Sequence, residues 1–400
     1  MRAVVFGLLL TVALALPAAV LGAGNAGANL SSFHPAMPAV TPISGPGASS
    51  AVCSPSPCTN PGTWGAAYHV TVPDSDGANA LMVDRMFTTF QPGHLVGASP
   101  LLVDLSGTTS QLFQVATAYR MRAILLPNNY HGGQYAVPTT SASVLPDPGA
   151  YGPVDCGSNG ASQCDDIPWL KAALAEVVCS GGPPCMNIDP NKVYVLGGSK
   201  GGNFTEGAIC DTRTSSYFHA AAVVSAMMVS SSYANSQTVA PNCPALLGTS
   251  NGYGGAAGLP PNTNISIAWI FGNNDSSVCS PGTGARNFDC LETGYTDAKN
   301  RWWFGVNQLA GDAKPPAPGK PAGSLHGIGH ALHCARKPHS DVKAGRLRTR
   351  TYTCANHHRA IQTIRVRCGL VFCHSFPQMD LLGGVDTEDA AVKFFVKYGG

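Results

Sequence analysis

The apolar run Val193-Tyr194-Val195-Leu196 leads straight into Gly197-Gly198-Ser199-Lys200-Gly201, and the segment from Gly202 to Asp211 can run as a helix. A serine in G-x-S-x-G between a buried strand and a helix is the nucleophile-elbow pattern. It commits the chain to a sheet whose strand ends in a tight turn. The flanking positions must be glycine, because a Cβ would strike the neighbouring strand and helix. The serine is left at the tip of the turn, and the following helix aims its first N–H groups at the same point. With 46 glycines in 400 residues the bare pattern arises by chance. The strand before it and the helix after it give it meaning.

Other segments repeat the strand–helix alternation. Ala66 to Val72 and Ala80 to Phe87 are expected as early strands. Leu101 to Leu105, closed by Ser106-Gly107, suits a buried parallel strand. Thr109 to Arg120 reads as helix and Ala123 to Leu126 as strand. Ile167, Leu170, Leu174, Val177 and Val178 give Asp166 to Val178 a helical period. Ala220 to Val224, Ile265 to Phe271 and part of Ile361 to Phe372 are further strands. Asp386 can cap a last helix to Tyr398, with Asp389 at its third position and Val392, Phe395 and Val396 turned inward. Such alternation predicts an α/β fold with a mostly parallel twisted sheet and helices on both faces.

A serine hydroxyl is a poor nucleophile at neutral pH and needs a histidine base held by a carboxylate. Asp275 is the expected acid, directly after the strand Ile265–Ile270, where a turn residue is the plain alternative and Asp289 the reserve. His374 is the expected base, after the strand ending at Val371-Phe372 and before the last helix. A histidine in an ordinary disulfide-tied loop is its alternative. The oxyanion hole needs two backbone donors, assigned to Lys200 and to Thr108 in the loop after Leu105. No metal or organic cofactor is expected.

The start, Met1-Arg2 followed by an apolar run to Leu21 and then small residues, reads as a signal peptide over 1–28. Residues 29–62, rich in Gly, Pro, Ser and Ala, read as a flexible leader, and 63–400 as the catalytic domain. Fourteen cysteines behind an export signal predict disulfide-stapled loops and a secreted, extracellular protein, although the connectivity does not follow from spacing. No membrane association is expected after cleavage. A charged fraction of 12% and a net charge of +2 imply no nucleic-acid partner. That balance hides an asymmetry. Residues 311–367 hold 11 of the 24 Lys/Arg, 2 of the 22 acids and 6 of the 12 histidines, a basic, His-rich insert at about 311–360. His326, His330, His333 and Cys334 have zinc-like spacing, but nearby glycines and a proline argue against the helix that would present them. The insert is read as a solvated basic loop, with a zinc site and retained intron sequence as rivals.

Five segments together resemble the secreted α/β hydrolases of the poly(3-hydroxybutyrate) depolymerase and feruloyl or acetylxylan esterase type. Pro100 to Gly107 resembles that family's P-L-L-V-x-L-H-G strand, and Asn187 to Val195 its N-I-D-P-x-R-V-Y-V approach to the elbow. Phe271-Gly272-Asn273-Asn274-Asp275 resembles its H-G-x-x-D acid loop, and Cys373-His374-Ser375-Phe376-Pro377 its G-H-x-W-P. Gly384 to Thr387 with Phe394-Phe395 is similar to its closing helix. The likeness spans about 65–305 and 361–398. It departs at Ser106, where the family has histidine, and at Cys373 and Phe376, where it has glycine and tryptophan. The resemblance implies an α/β-hydrolase fold and a serine esterase acting on an ester substrate, polymeric (polyester or cell-wall polysaccharide ester) or small. A non-catalytic homologue that binds a ligand in the old cleft is the alternative, motivated by Ser106 and the insert.

Overall fold

Runs of apolar residues too short to be helices become the strands of one sheet. The computed structural model describes residues 64–73, 82–92, 95, 97–105, 112–127, 166–178, 186–211, 213–226, 264–273, 275, 295–296, 302–303, 329, 332–335, 337–354, 358–368, 374 and 386–400. The expected signal peptide and leader lie outside them, as does about half of the basic segment at 311–360.

In chain order the elements are β1 (Trp64–Pro73), β2 (Met82–Phe90), β3 (Ser99–Asp104), α1 (Leu112–Ala118), β4 (Arg122–Leu125), α2 (Ile167–Val177) and β5 (Ile188–Gly198). Then come α3 (Lys200–Cys210), a 3-10 turn (Ser215–Tyr217), β6 (Ala220–Val224), β7 (Ser266–Gly272), β8 (Tyr295–Thr296) and β9 (Trp302–Trp303). The chain closes with β10 (Ser340–Ala344), β11 (Leu347–Thr353), β12 (Ala360–Val366) and α4 (Thr387–Tyr398). Ten strands make the main sheet in the order β1-β2-β4-β3-β5-β6-β7-β12-β11-β10, and β8 pairs β9 separately.

The sheet is mixed, which corrects the expectation of a mostly parallel one. The five pairings from β4 through β3, β5, β6 and β7 to β12 are parallel. The two at each end are antiparallel. The antiparallel pairs β1–β2, β10–β11 and β11–β12 join strands that follow one another in the chain, and β2 pairs β4 although β3 and α1 lie between them. The parallel strands β3, β4, β5 and β6 are linked through the helical crossovers α1, α2 and α3. One of these crossovers reverses the strand order. From β4 the chain passes through α2 and returns on the far side of β3 to form β5. Open α/β sheets bind ligands beyond the carboxyl ends of the strands at such a reversal.

Alternate residues of the central strands fill two cores. Leu101, Val103, Val193, Val195, Ala221 and Val223 face α2 and α3, while Leu102, Tyr194, Leu196, Ala222 and Val224 face α1 and α4. Continuous burial is why the strands read as unbroken apolar runs rather than alternating ones. The helix α2 buries Ile167, Trp169, Leu170, Ala173, Leu174 and Val177, as its period predicts. In α4 the Asp386 carboxylate accepts from the Asp389 N–H at 2.7 Å, and Lys397 sits in the last turn, complementing the dipole. Val392 and Phe395 are buried as expected, but Val396 is 57% exposed. It lies about 100° around the helix from Phe395, past the margin of the buried stripe.

The basic segment is not a loop throughout. Residues 340–353 form a hairpin, β10–β11, turned by Gly345 at φ +59° and Arg346. A two-residue turn with positive φ at its first position is a hairpin turn. Cys334 and Cys354 are bridged, tying the approach to this hairpin to its exit. The two cysteines are 20 residues apart in sequence. Cys368 is also disulfide-bonded.

Candidate active site

Three strands deliver three side chains to one end of the sheet. β5 ends at Gly198, and Ser199 follows at φ 56°, ψ −117°, a conformation uncommon for a residue with a Cβ. Holding it costs on the order of 1–3 kcal/mol, which the surroundings must overcome. They do so from both sides: the Ser199 N–H donates to the Val224 carbonyl at 2.8 Å, and α3 starts at the next residue. A Cβ on Gly197 would run into the Gly201 carbonyl and stand 2.5 Å from Thr205 Oγ1. One on Gly202 would stand 2.7 Å from the Ala226 methyl and 2.8 Å from the Val224 oxygen. The sequence reading placed the steric demand on the glycines flanking the turn. Gly202, one residue further on, shares it.

Asp275 lies just past β7, buried, its N–H donating to the Gly272 carbonyl at 3.3 Å. His374 lies past β12 and is 19% exposed at its side chain. His374 Nδ1 is 2.9 Å from both Asp275 carboxylate oxygens, and Nε2 is 2.6 Å from Ser199 Oγ. An ionised carboxylate only accepts, so the proton belongs on Nδ1, and a neutral imidazole then accepts the serine O–H at Nε2. The structure thus brings Ser199, His374 and Asp275 together although 175 residues separate serine from histidine. Such an arrangement can remove a proton from the serine as it attacks an electrophilic carbon, and return it to a leaving group.

Lys200 is the first residue of α3, so its N–H has no acceptor within the helix and stands beside Ser199. Thr108 and Asp289 lie outside the described residues, as do His326 and His330. His333 is described and exposed, at φ 53°. Among the described residues no group of three or more His, Cys, Asp or Glu is placed to hold a metal ion.

Sequence reasoning missed Asn273. Its N–H donates to the Val366 carbonyl at 2.9 Å, and its Oδ1 accepts from the Cys368 N–H at 2.8 Å. One residue thereby locks the end of β7, two positions before Asp275, to the chain leaving β12 towards His374. Its only signal was membership of the Phe271–Asp275 run. Glu206 was also missed. Buried in α3, it accepts from Trp269 Nε1 of β7 at 3.1 Å, joining the serine's helix to the aspartate's strand.

No protein family matches the chain, and no curated protein does either. Solved structures show partial likenesses. A poly(3-hydroxybutyrate) depolymerase from Bordetella parapertussis is 13% identical over 52% of this chain and 66% of its own, with a TM-score of 0.28. A glucuronoyl esterase from Teredinibacter turnerae is 12% identical over 54% and 58%, with a TM-score of 0.30. Brefeldin A esterase, described as a bacterial homologue of human hormone-sensitive lipase, is 14% identical over 56% and 64%, with a TM-score of 0.27. In each case this chain spans less than two thirds of the other protein. Likenesses of this size say nothing about chemistry, which the side chains must carry alone.

Proposed function

We propose that the protein is a secreted serine esterase that hydrolyses carboxylic esters through an acyl-enzyme, in the manner of polyester depolymerases and feruloyl esterases. The observation that carries this reading is the unbroken contact chain from Ser199 Oγ through His374 to Asp275, with the serine in its uncommon backbone conformation. Ser199 attacks the ester carbonyl while His374 Nε2 takes its proton, and Asp275 holds the ring and stabilises the imidazolium. The Lys200 N–H, with Thr108 as the second donor, receives the charge that develops on the carbonyl oxygen. The imidazolium gives its proton to the leaving alkoxide, and the neutral ring then draws one from water to open the acyl-enzyme. No step calls on a metal or organic cofactor. Export rests on the apolar segment at 1–28 and the fourteen cysteines.

Turnover of p-nitrophenyl acetate and butyrate by the mature protein tests the reading, with Ser199→Ala beside it. The expected loss is on the order of 10⁴-fold or more in kcat. Full activity in the alanine variant would remove Ser199 from the mechanism. A fluorophosphonate probe that fails to label Ser199 in the wild type would favour the non-catalytic homologue. Release of 3-hydroxybutyrate, ferulate and acetate from their polymers separates the substrate classes.

A further inference from the structure

The strand registers draw a line across the sheet from the serine to the basic hairpin. Gly198 faces Val224, Val224 faces Ile270, and the N–H groups of Ser199 and Ser225 continue both ladders by one residue. One position further along, Phe271 faces Arg365, Arg365 faces Arg348, and Arg348 faces Lys343. The transverse row therefore reads Ser199, Ser225, Phe271, Arg365, Arg348, Lys343. At about 4.8 Å per strand, the three cations stand roughly 14, 19 and 24 Å to the side of the serine's strand. They share a face with Phe271, Tyr352 and Ile361, because residues four apart on a strand point the same way. Arg346 at the hairpin turn and Arg367 just past β12 stand at the same end of the sheet, joined by a 2.8 Å bond from the Arg367 N–H to the Arg346 carbonyl, and both are exposed.

Like charges directly opposite one another weaken a sheet. Here two such pairs, Lys343–Arg348 and Arg348–Arg365, lie side by side. Residues 340–368 contain seven Lys/Arg and one carboxylate, Asp341. Asp341 accepts from Arg348 at 2.8 and 2.6 Å and from Arg350 at 3.2 Å. By its own sequence the segment therefore holds seven basic residues to one acidic in a chain of net charge +2.

We propose that this row is a docking track for a polyanionic chain of carboxylate-bearing units, some of them esterified, laid across the carboxyl ends of the strands so that an ester reaches Ser199. The proposal rests on the esterase reading and names its substrate class. Guanidinium groups suit carboxylates because their paired N–H donors match the two oxygens. A track some 10 Å long and offset from the serine fits a polymer rather than a small acid. Duplex nucleic acid is the poorer fit in a chain of such low net charge, and single strands want exposed aromatic rings, whereas Tyr352 on this face is buried. An anionic bilayer wants exposed apolar side chains, and the hairpin's large one is Val342 alone.

The test is binding of unesterified polygalacturonate to full-length mature Ser199→Ala protein, with fluorophosphonate labelling of the wild type run in parallel. Binding should fall steeply as salt rises from about 0.1 to about 1 M, where the Debye length shrinks from roughly 10 to 3 Å. The triple change Lys343→Gln, Arg346→Gln, Arg367→Gln should weaken binding roughly tenfold or more. Its thermal melt shows whether it is folded. Arg348→Lys keeps the charge and should stay within about threefold of the parent. Polyanion binding without labelling supports the track and overturns the esterase reading, whereas labelling without binding does the reverse. Salt-insensitive binding overturns the track. Tighter binding to duplex DNA or to phosphatidylserine vesicles than to polygalacturonate overturns the carboxylate-chain assignment.

Discussion

Two residues set the limits of what the elbow tolerates. Gly197 has no room for a methyl group, because the first turn of α3 passes directly over it and the Gly201 carbonyl occupies the position a Cβ would take. The obstruction is backbone, already committed to the bond that Thr205 Oγ1 donates to Gly201 at 2.8 Å, so it cannot yield as a side chain would. Gly197→Ala is expected to destabilise the fold by about 3 kcal/mol or more, read by chemical denaturation, and to lose the proposed esterase activity with it. Asp275 presents the opposite case, a change that leaves shape intact. Asp275→Asn preserves volume but offers His374 Nδ1 an amide, which permits the wrong tautomer. The proposed mechanism then expects kcat on p-nitrophenyl butyrate to fall on the order of 10⁴-fold with little change in melting temperature. A variant that retains most of its activity would show that Asp275 does not orient the base.

Among the elements, the hairpin β10–β11 has a built-in sensitivity to acid. The hydrogen bond from Arg348, with those from Arg350, outweighs the opposing effect of burial and lowers the Asp341 carboxyl to about 2. A carboxyl whose folded value lies below its unfolded value of about 3.9 contributes its stability above that value. The contribution disappears as pH falls from about 4 through about 2. Amide exchange in β10 and β11 should therefore accelerate over that window ahead of β5 and β6, and Asp341→Asn should abolish the acceleration. The side chains are partly exposed, so high salt should blunt the effect. This hairpin was the element least legible in the sequence. Its strands and turn carry Lys343, Arg346, Arg348 and Arg350 at closely spaced positions, and such a charge run reads as a solvated loop. Gly345 between two stretches of alternating character was the signal available. By contrast α2, α4, β3 and β6 were readable because burial imposes its period directly on their residues. The strand β5 was read only from Val193 to Leu196, in its buried part, because Asp189, Asn191 and Lys192 are polar and Pro190, Asn191 and Lys192 are exposed before the chain enters the core.

At the scale of the whole molecule, the site depends on segments far apart in sequence being held together by the core. α4 covers the face that bears Leu102, Tyr194, Leu196 and Val224. Phe395, wholly buried, stacks on Tyr194 of the elbow strand at 5.2 Å between ring centres. The Arg359 guanidinium, entering β12, donates to the Tyr398 carbonyl at 3.1 Å and to Asn264 Oδ1 at 2.9 Å, tying the end of α4 to the start of β7. Phe395→Ala should cost about 3–5 kcal/mol in global stability and lower the melting temperature, with kcat of the folded fraction retained. Unchanged stability would show that α4 is not part of the cooperative core. Locally periodic burial, the cap at Asp386 and the glycine-flanked serine were determined by the sequence alone, because each depends on residues within a turn or two of one another. The order of Ser199, Asp275 and His374 was legible for the same reason: each sits at the end of an apolar run. What only the tertiary structure decided was everything set by strand order and register. The mixed character of the sheet, the lock from Asn273 to Cys368, the Cys334–Cys354 bridge and the alignment of the basic row with the serine all join distant segments. Outside a tight hairpin such as β10–β11, sequence spacing does not say which strand lies beside which, since the pairing of distant strands is fixed by how the two cores close and not by any neighbour along the chain.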